Sequence, residues 1–115
     1  MSPPVRARGS VWMADLGTGR GREQSGIRPV LVVSEDGFNR SGAELVIVVP
    51  MTSRPKRVRT HVPVSPPEGG LAVPSFVKCE DVRSLSIDRL IRPMGTLSIA
   101  TMAMVEDRLR LLLGL

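Results

Sequence analysis

The apolar positions of this chain follow two periods, and the switch between them predicts the architecture. From Gly9 onward Val11, Met13 and Asp15 alternate with Trp12, Ala14 and Leu16, the pattern of a strand with both faces substantially apolar. Ile27 to Ser34 (IRPVLVVS) is a β-branched run, with Pro29 near its start where a missing N–H is tolerated. Glu44 to Met51 (ELVIVVPM) is again apolar on both faces, so these two strands belong in the middle of a sheet. Shorter strands are predicted at His61–Val64, at SFVKCEDV with Phe76 and Lys78 on one face and Val77 and Cys79 on the other, and at Arg89–Leu97. Beyond Ser98, a residue of N-cap type, Met102, Val105, Leu109 and Leu112 recur at helical spacing with Asp107, Arg108 and Arg110 between them. Short strands followed by one terminal helix read as a small, mainly antiparallel β-barrel, one domain over residues 9–115. Residues 1–8 lack any periodic apolar pattern and read as a flexible tail.

The connections carry the rest of the signal. GTGRGREQSG, residues 17–26, holds four glycines, two arginines and no apolar anchor, and reads as a mobile loop able to act as a lid. EDGFNRSG is turn chemistry with room for one helical turn around Phe38, and PPEGG is a turn. After Thr52, the segment SRPKRVRT sets Arg54, Lys56, Arg57 and Arg59 within six residues, a basic connecting loop. The few aromatics, Trp12, Phe38 and Phe76, are assigned to packing.

Composition narrows the classes. A chain of 115 residues buries only about two thirds of its unfolded surface, so one modest core completed by a homodimer is expected. The formal net charge is +5, carried by fourteen arginines and two lysines, which favours polyanionic partners although a biased codon usage would raise arginine too. One cysteine, Cys79, and one histidine, His61, make neither an internal disulfide nor a zinc site, and a reducing cytoplasm suits them. No segment approaches the ~18 apolar residues of a membrane span, and MSPPVRARGS lacks the apolar stretch of a secretory signal.

Candidate chemistry is sparse. His61 has no partner histidine, and Glu80–Asp81 and Glu106–Asp107 are adjacent pairs that point apart, so neither a carboxylate dyad nor a magnesium site is expected. The glycine loop lacks the Gly-Lys-Ser/Thr of a nucleotide-binding loop. What remains is Arg28 after that loop and Thr52 with Ser53 at the end of the third strand. If the second and third strands pair as an antiparallel hairpin, Arg28 and Thr52 become neighbours. A guanidinium and a hydroxyl at the mouth of a basic groove suit a phosphodiester; the pattern alone favours the plainer reading, a surface ion pair beside a strand-ending Thr.

GSVWMADLGTGRGREQSGIRPVLVVSEDGFN, VVPMTSR, LAVPSFVKCEDVRSL and LIRPMGTLS before VEDRLRLLLGL, in that order and spacing, resemble the MazF/PemK family of toxins over about residues 9 to 115. The resemblance implies an SH3-like barrel that dimerises, with an RNA groove across the dimer. It implies a metal-independent, cofactor-free endoribonuclease that cuts single-stranded RNA through 2′-hydroxyl attack, leaving a 2′,3′-cyclic phosphate and a 5′-hydroxyl, and that a cognate antitoxin neutralises. The catalytic pair carries over to Arg28 and Thr52. Arg22, Glu23 and Gln24 of the loop, with Ser53, Arg54, Lys56, Arg57 and Arg59, are the expected RNA-binding residues. The helix start departs from many relatives, since Ser98-Ile99-Ala100-Thr101 offers no Glu or Gln to complete a capping box.

Two other readings stay open on sequence. A CcdB-like, gyrase-poisoning toxin shares the barrel but depends on a Trp near the C-terminus, whereas the only Trp here is Trp12. A non-catalytic RNA-binding barrel would want exposed aromatic platforms, and aromatics are 3% of the chain.

Overall fold

The computed structural model describes residues 6–115. Seven strands, β1 (Ser10–Asp15), β2 (Ile27–Val32), β3 (Leu45–Thr52), β4 (His61–Val64), β5 (Ser75–Lys78), β6 (Arg83–Ser86) and β7 (Leu90–Thr96), are joined by a four-residue helix α1 (Asp36–Asn39) and followed by α2 (Ile99–Leu113). Every strand pair is antiparallel, in the order β4-β5-β3-β2-β1-β7 with β6 branching off β3. The long β3 makes this possible: Leu45–Val48 pairs with β6 while Met51 and Thr52 pair with β5.

The two-faced strands are explained by two cores. Val11, Leu31, Val49 and Met51 point to one side, where β4, β5 and the Met102 and Val105 stripe of α2 cover them. Their neighbours Trp12, Ala14, Val30, Val32, Val46 and Val48 point to the other side and pack with Leu85 of β6. Trp12 is buried and donates Nε1–H to Ser10 Oγ at 3.1 Å.

The sheet is an open barrel, since its terminal strands β4 and β7 are not paired with each other among the described residues. The turn Glu68–Gly70 after β4 packs against β7 instead. A Cβ at Gly70, where φ is +70°, would lie 2.0 Å from Met94 O, and one at Gly95 would lie 2.7 Å from Gly69 C. Only glycines permit that approach.

Three expectations change. The SFVKCEDV strand stops at Lys78, because Cys79–Asp81 forms a 3-10 turn, and Arg83–Ser86 then adds a strand too poor in apolar residues to read from sequence. Phe38, expected in packing, is 37% exposed: α1 lies on the surface and turns Asn39 inward, onto the carbonyl and hydroxyl of Ser34. Residues 6–8 of the expected tail are tied to the body, with Arg6 O accepting from Asn39 Nδ2 at 2.8 Å, Arg8 N donating to Asp36 Oδ1 at 2.7 Å and the Arg8 guanidinium paired with Glu106. The remainder of that tail, residues 1–5, lies outside the described residues. No helix among the described residues is long and apolar enough to cross a membrane.

Candidate functional site

The hairpin of β2 and β3 sets the site. Its register pairs Val30 with Pro50, Leu31 with Val49 and Val32 with Val48, so two residues further along Arg28 stands beside Thr52. Both side chains line the same two cavities, each of about 260 Å³. Arg28 donates Nε–H to Ser25 O at 2.7 Å, which fixes the plane of its guanidinium. Thr52 is 5% exposed and its Oγ1 accepts the Arg54 N–H at 3.2 Å, so the hydroxyl proton is left to donate.

The two cavities differ in character. One is bounded by the loop residues Gly21 to Gln24 and by Arg54, Lys56 and Lys78, and sets five cationic side chains, Arg28 included, against Glu23 alone. The other lies under Met13, Met51, Leu71, Val73 and Met94 and is apolar, with Ser53 at its edge. A third cavity of about 390 Å³ shares Arg22, Glu23, Lys56 and Lys78 with the basic one and continues it towards Val58, Glu80 and Asp81. An anion seated at Arg28 and Thr52 would meet charge-assisted donors on one side and an apolar wall on the other.

Of the residues anticipated around this pair, Arg22, Glu23, Gln24, Arg54 and Lys56 gather in the basic cavity and Ser53 in the apolar one. Arg57 and Arg59 line none of these three cavities. Arg57 takes φ +47°, and the carbonyl of Arg59 accepts from Arg108 Nε at 2.7 Å, which draws that end of the basic segment towards α2.

The carboxylates near these cavities have protein partners, Glu23 accepting the Arg20 N–H at 3.1 Å. Glu80 accepts from Thr60 Oγ1 at 2.7 Å and lies 2.9 Å from Nε2 of His61, which is buried in β4 outside the Arg28–Thr52 cavities. Partial burial would raise the Glu80 pKa, but the Thr60 hydroxyl, a backbone N–H and His61 together carry it below the usual carboxylate value. Asp81 accepts Gln24 N–H at 2.8 Å and Arg83 Nη2 at 2.7 Å, Glu106 pairs with Arg8, and Asp107 pairs with Arg108 at 2.6 Å. Among the described residues no three His, Cys, Asp or Glu side chains cluster as metal ligands would.

Lys78, Asp81 and Arg83 belong to this neighbourhood and were not legible as such. Lys78 is 5% exposed and donates Nζ to Arg22 O. A lysine in an apolar strand was the available signal, but its burial depends on the loop folding over it.

A small open β-barrel with a cationic, phosphate-suited cavity at one hairpin is thus the class that fold and site define. The match to known proteins is specific: residues 7–113 fit the family described as PemK-like, MazF-like toxin of type II toxin-antitoxin system. The chain is 38% identical over 113 residues to Endoribonuclease MazF9 of Mycobacterium tuberculosis (strain ATCC 25618 / H37Rv), covering 94% of this chain and 96% of that relative. Among solved structures, MazF from Deinococcus radiodurans superposes with a TM-score of 0.80 at 30% identity, covering 95% of this chain and 96% of the other. An endoribonuclease in complex with its cognate antitoxin, from Mycobacterial species, superposes with a TM-score of 0.75 at 30% identity, over 100% and 97% of the two chains. The chain belongs to the PemK-like, MazF-like toxins of type II toxin-antitoxin systems.

Proposed function

We propose that this endoribonuclease toxin cleaves single-stranded RNA at a phosphodiester held between Arg28 and Thr52, without a metal. The observation that carries the reading is the shared cavity of those two side chains, with its excess of cationic residues. The ribose 2′-oxygen attacks the adjacent phosphorus and gives up its proton. The P–O5′ bond breaks, the 5′-oxygen takes a proton, and a 2′,3′-cyclic phosphate remains. Arg28 neutralises the charge that grows on the phosphorane, and the Thr52 hydroxyl donates to a non-bridging oxygen. A guanidinium offers N–H donors and no acceptor, so its role is electrostatic. The metal-free reading is supported by the nearby carboxylates, Glu23, Glu80 and Asp81, being taken up by protein partners.

The active unit of this reading is a homodimer, supported by the exposure of Ile27 and Val73 at the rim of the apolar cavity. An acidic antitoxin segment occupies the same basic groove, and its affinity should fall as salt rises. A reducing cytoplasm suits the single buried Cys79, and cell fractionation checks that assignment.

The deciding experiment incubates the pure protein with a mixed-sequence RNA in excess EDTA and analyses the new ends. Cleavage with cyclic phosphate termini is expected. Uncut RNA, cleavage that stops with EDTA, or 3′-hydroxyl ends would overturn the mechanism; gyrase poisoning of supercoiled DNA, assayed alongside, would redirect it.

A further inference from the structure

The loop over the basic cavity has no apolar anchor, yet side chains from the end of β5 to the start of β6 meet its backbone at three points. Lys78 Nζ donates to Arg22 O. Asp81 Oδ2 accepts the Gln24 N–H at 2.8 Å, and Arg83 Nη2 donates to Gln24 O at 3.0 Å while pairing with Asp81 at 2.7 Å. Asp81 and Arg83 together therefore satisfy both the N–H and the C=O of one loop residue, as a neighbouring strand would. Their side chains are 10% and 20% exposed. A partly buried ion pair adds little net stability by itself, and here its geometry is directed at Gln24.

The next residue makes this matter for chemistry. Ser25, adjacent to Gln24, offers the carbonyl that holds Arg28 Nε at 2.7 Å. The neck of the loop is closed separately, by Gly26 N to Gly17 O at 2.8 Å and Leu16 N to Gly26 O at 2.9 Å, so the Gln24–Ser25 arm is what links the β5–β6 side chains to the guanidinium.

We propose that Lys78, Asp81 and Arg83 form a clamp that fixes the 17–26 loop over the phosphate cavity in the free enzyme and, through Ser25, sets the orientation of Arg28. They are positioning residues. A glycine-rich loop loses much conformational freedom when it orders, and without the clamp the substrate would have to supply that ordering. With it, Arg22, Glu23 and Gln24 are in place before RNA arrives, and the Arg28 guanidinium starts from its working geometry. The mechanical half of this proposal stands on the contacts alone; the kinetic half rests on the RNA-cleavage reading.

The test uses Arg83→Gln and Asp81→Leu in the protein as it stands. Amide hydrogen exchange is followed on the protein alone, and kcat and KM are measured on a short RNA. Exchange at Gln24 N–H should rise at least about tenfold, while the sheet amides of Val30 and Val49 keep their protection. Turnover should fall by about tenfold with a smaller change in KM. Arg83→Lys, which must replace with a shorter side chain and a tetrahedral ammonium the two bonds that Nη2 alone donates, should fall in between. Unchanged exchange at Gln24 in a folded variant overturns the clamp, and faster exchange with wild-type kcat overturns the positioning role. If Arg83→Gln loses protection throughout the sheet, Asp81→Leu, close in size but without an acceptor for Gln24 N–H or Arg83, decides. If the wild-type protein cuts no RNA, the exchange result still decides the clamp and the failure belongs to the functional reading.

Discussion

The Glu68 carboxylate accepts the backbone N–H of Ser98 at 2.9 Å, completing from another part of the fold the cap that α2 lacks in its own first turn. Ser98 Oγ accepts the Thr101 N–H at 3.1 Å, so the two interactions reproduce a capping box with its second acceptor borrowed across 30 residues. Glu68→Ala should therefore destabilise the protein by about 1 kcal/mol, read from urea midpoints at neutral pH. The Ser98 N–H is also the chief reason that the Glu68 pKa lies below its usual value. A depressed carboxylate contributes stability that is present above its unfolded pKa, about 4.3, and lost as pH falls through the lower folded value. The gap between wild type and Glu68→Gln should close in that acid window; a constant gap would show that the charge plays no part.

Gly70 is the point where the open barrel is drawn together. Its φ is +70°, and a Cβ there would stand only 2.0 Å from Met94 O, which leaves no room for a side chain. Gly70→Ala should cost at least roughly 2 kcal/mol, through backbone displacement at β7. Thermal unfolding checks this, and a melting point within a degree of wild type would mean that the turn shifts freely.

Arg28→Ala and Thr52→Val should each lower turnover on the order of a hundredfold while leaving the fold unchanged by circular dichroism. The valine keeps the shape of Thr52 and removes only the hydroxyl. RNA affinity should fall further for Arg28→Ala, because a guanidinium binds the ground-state phosphate and the hydroxyl mainly the transition state. Near-normal turnover in both variants would remove the pair from the mechanism.

Cys79 is fully buried, and desolvation, reinforced by the Glu80 charge, pushes its thiol up to about 12. The thiolate is the reactive form, so a thiol reagent at pH 8 should label the native protein far more slowly than the urea-unfolded chain. Equal labelling rates would mean that the Cys79–Asp81 turn opens readily.

Sedimentation at micromolar concentration should give about 25 kDa, twice the 12.5 kDa of the chain. Replacing Ile27 and Val73, exposed by 64% and 52%, with Asp should shift the protein towards monomer. A wild-type monomer would count against a composite groove.

The apolar runs Ile27–Ser34 and Glu44–Met51 were enough to place β2 and β3 in the middle of the sheet, and Val11–Leu16 to show β1 apolar on both faces, because a strand buried over most of its length on both sides has no continuous polar face. The helix is equally legible, since its buried Met102 and Val105 recur at the spacing of one face. The Arg28–Thr52 juxtaposition followed from one assumption, antiparallel pairing of consecutive strands, which the register satisfies. β6 was invisible because RSLS is stabilised by pairing with β3, a partner supplied by the fold, and not by an apolar pattern of its own. The same holds for Phe38, whose exposure depends on where α1 sits, and for the residues that hold the loop and cap the helix. Glu68, Lys78, Asp81 and Arg83 act on Ser98, Arg22 and Gln24, backbone groups 30 to 59 residues away. Local sequence sets periodicity and turn chemistry, whereas which buried N–H or C=O lacks a partner is known only once the chain has folded around it.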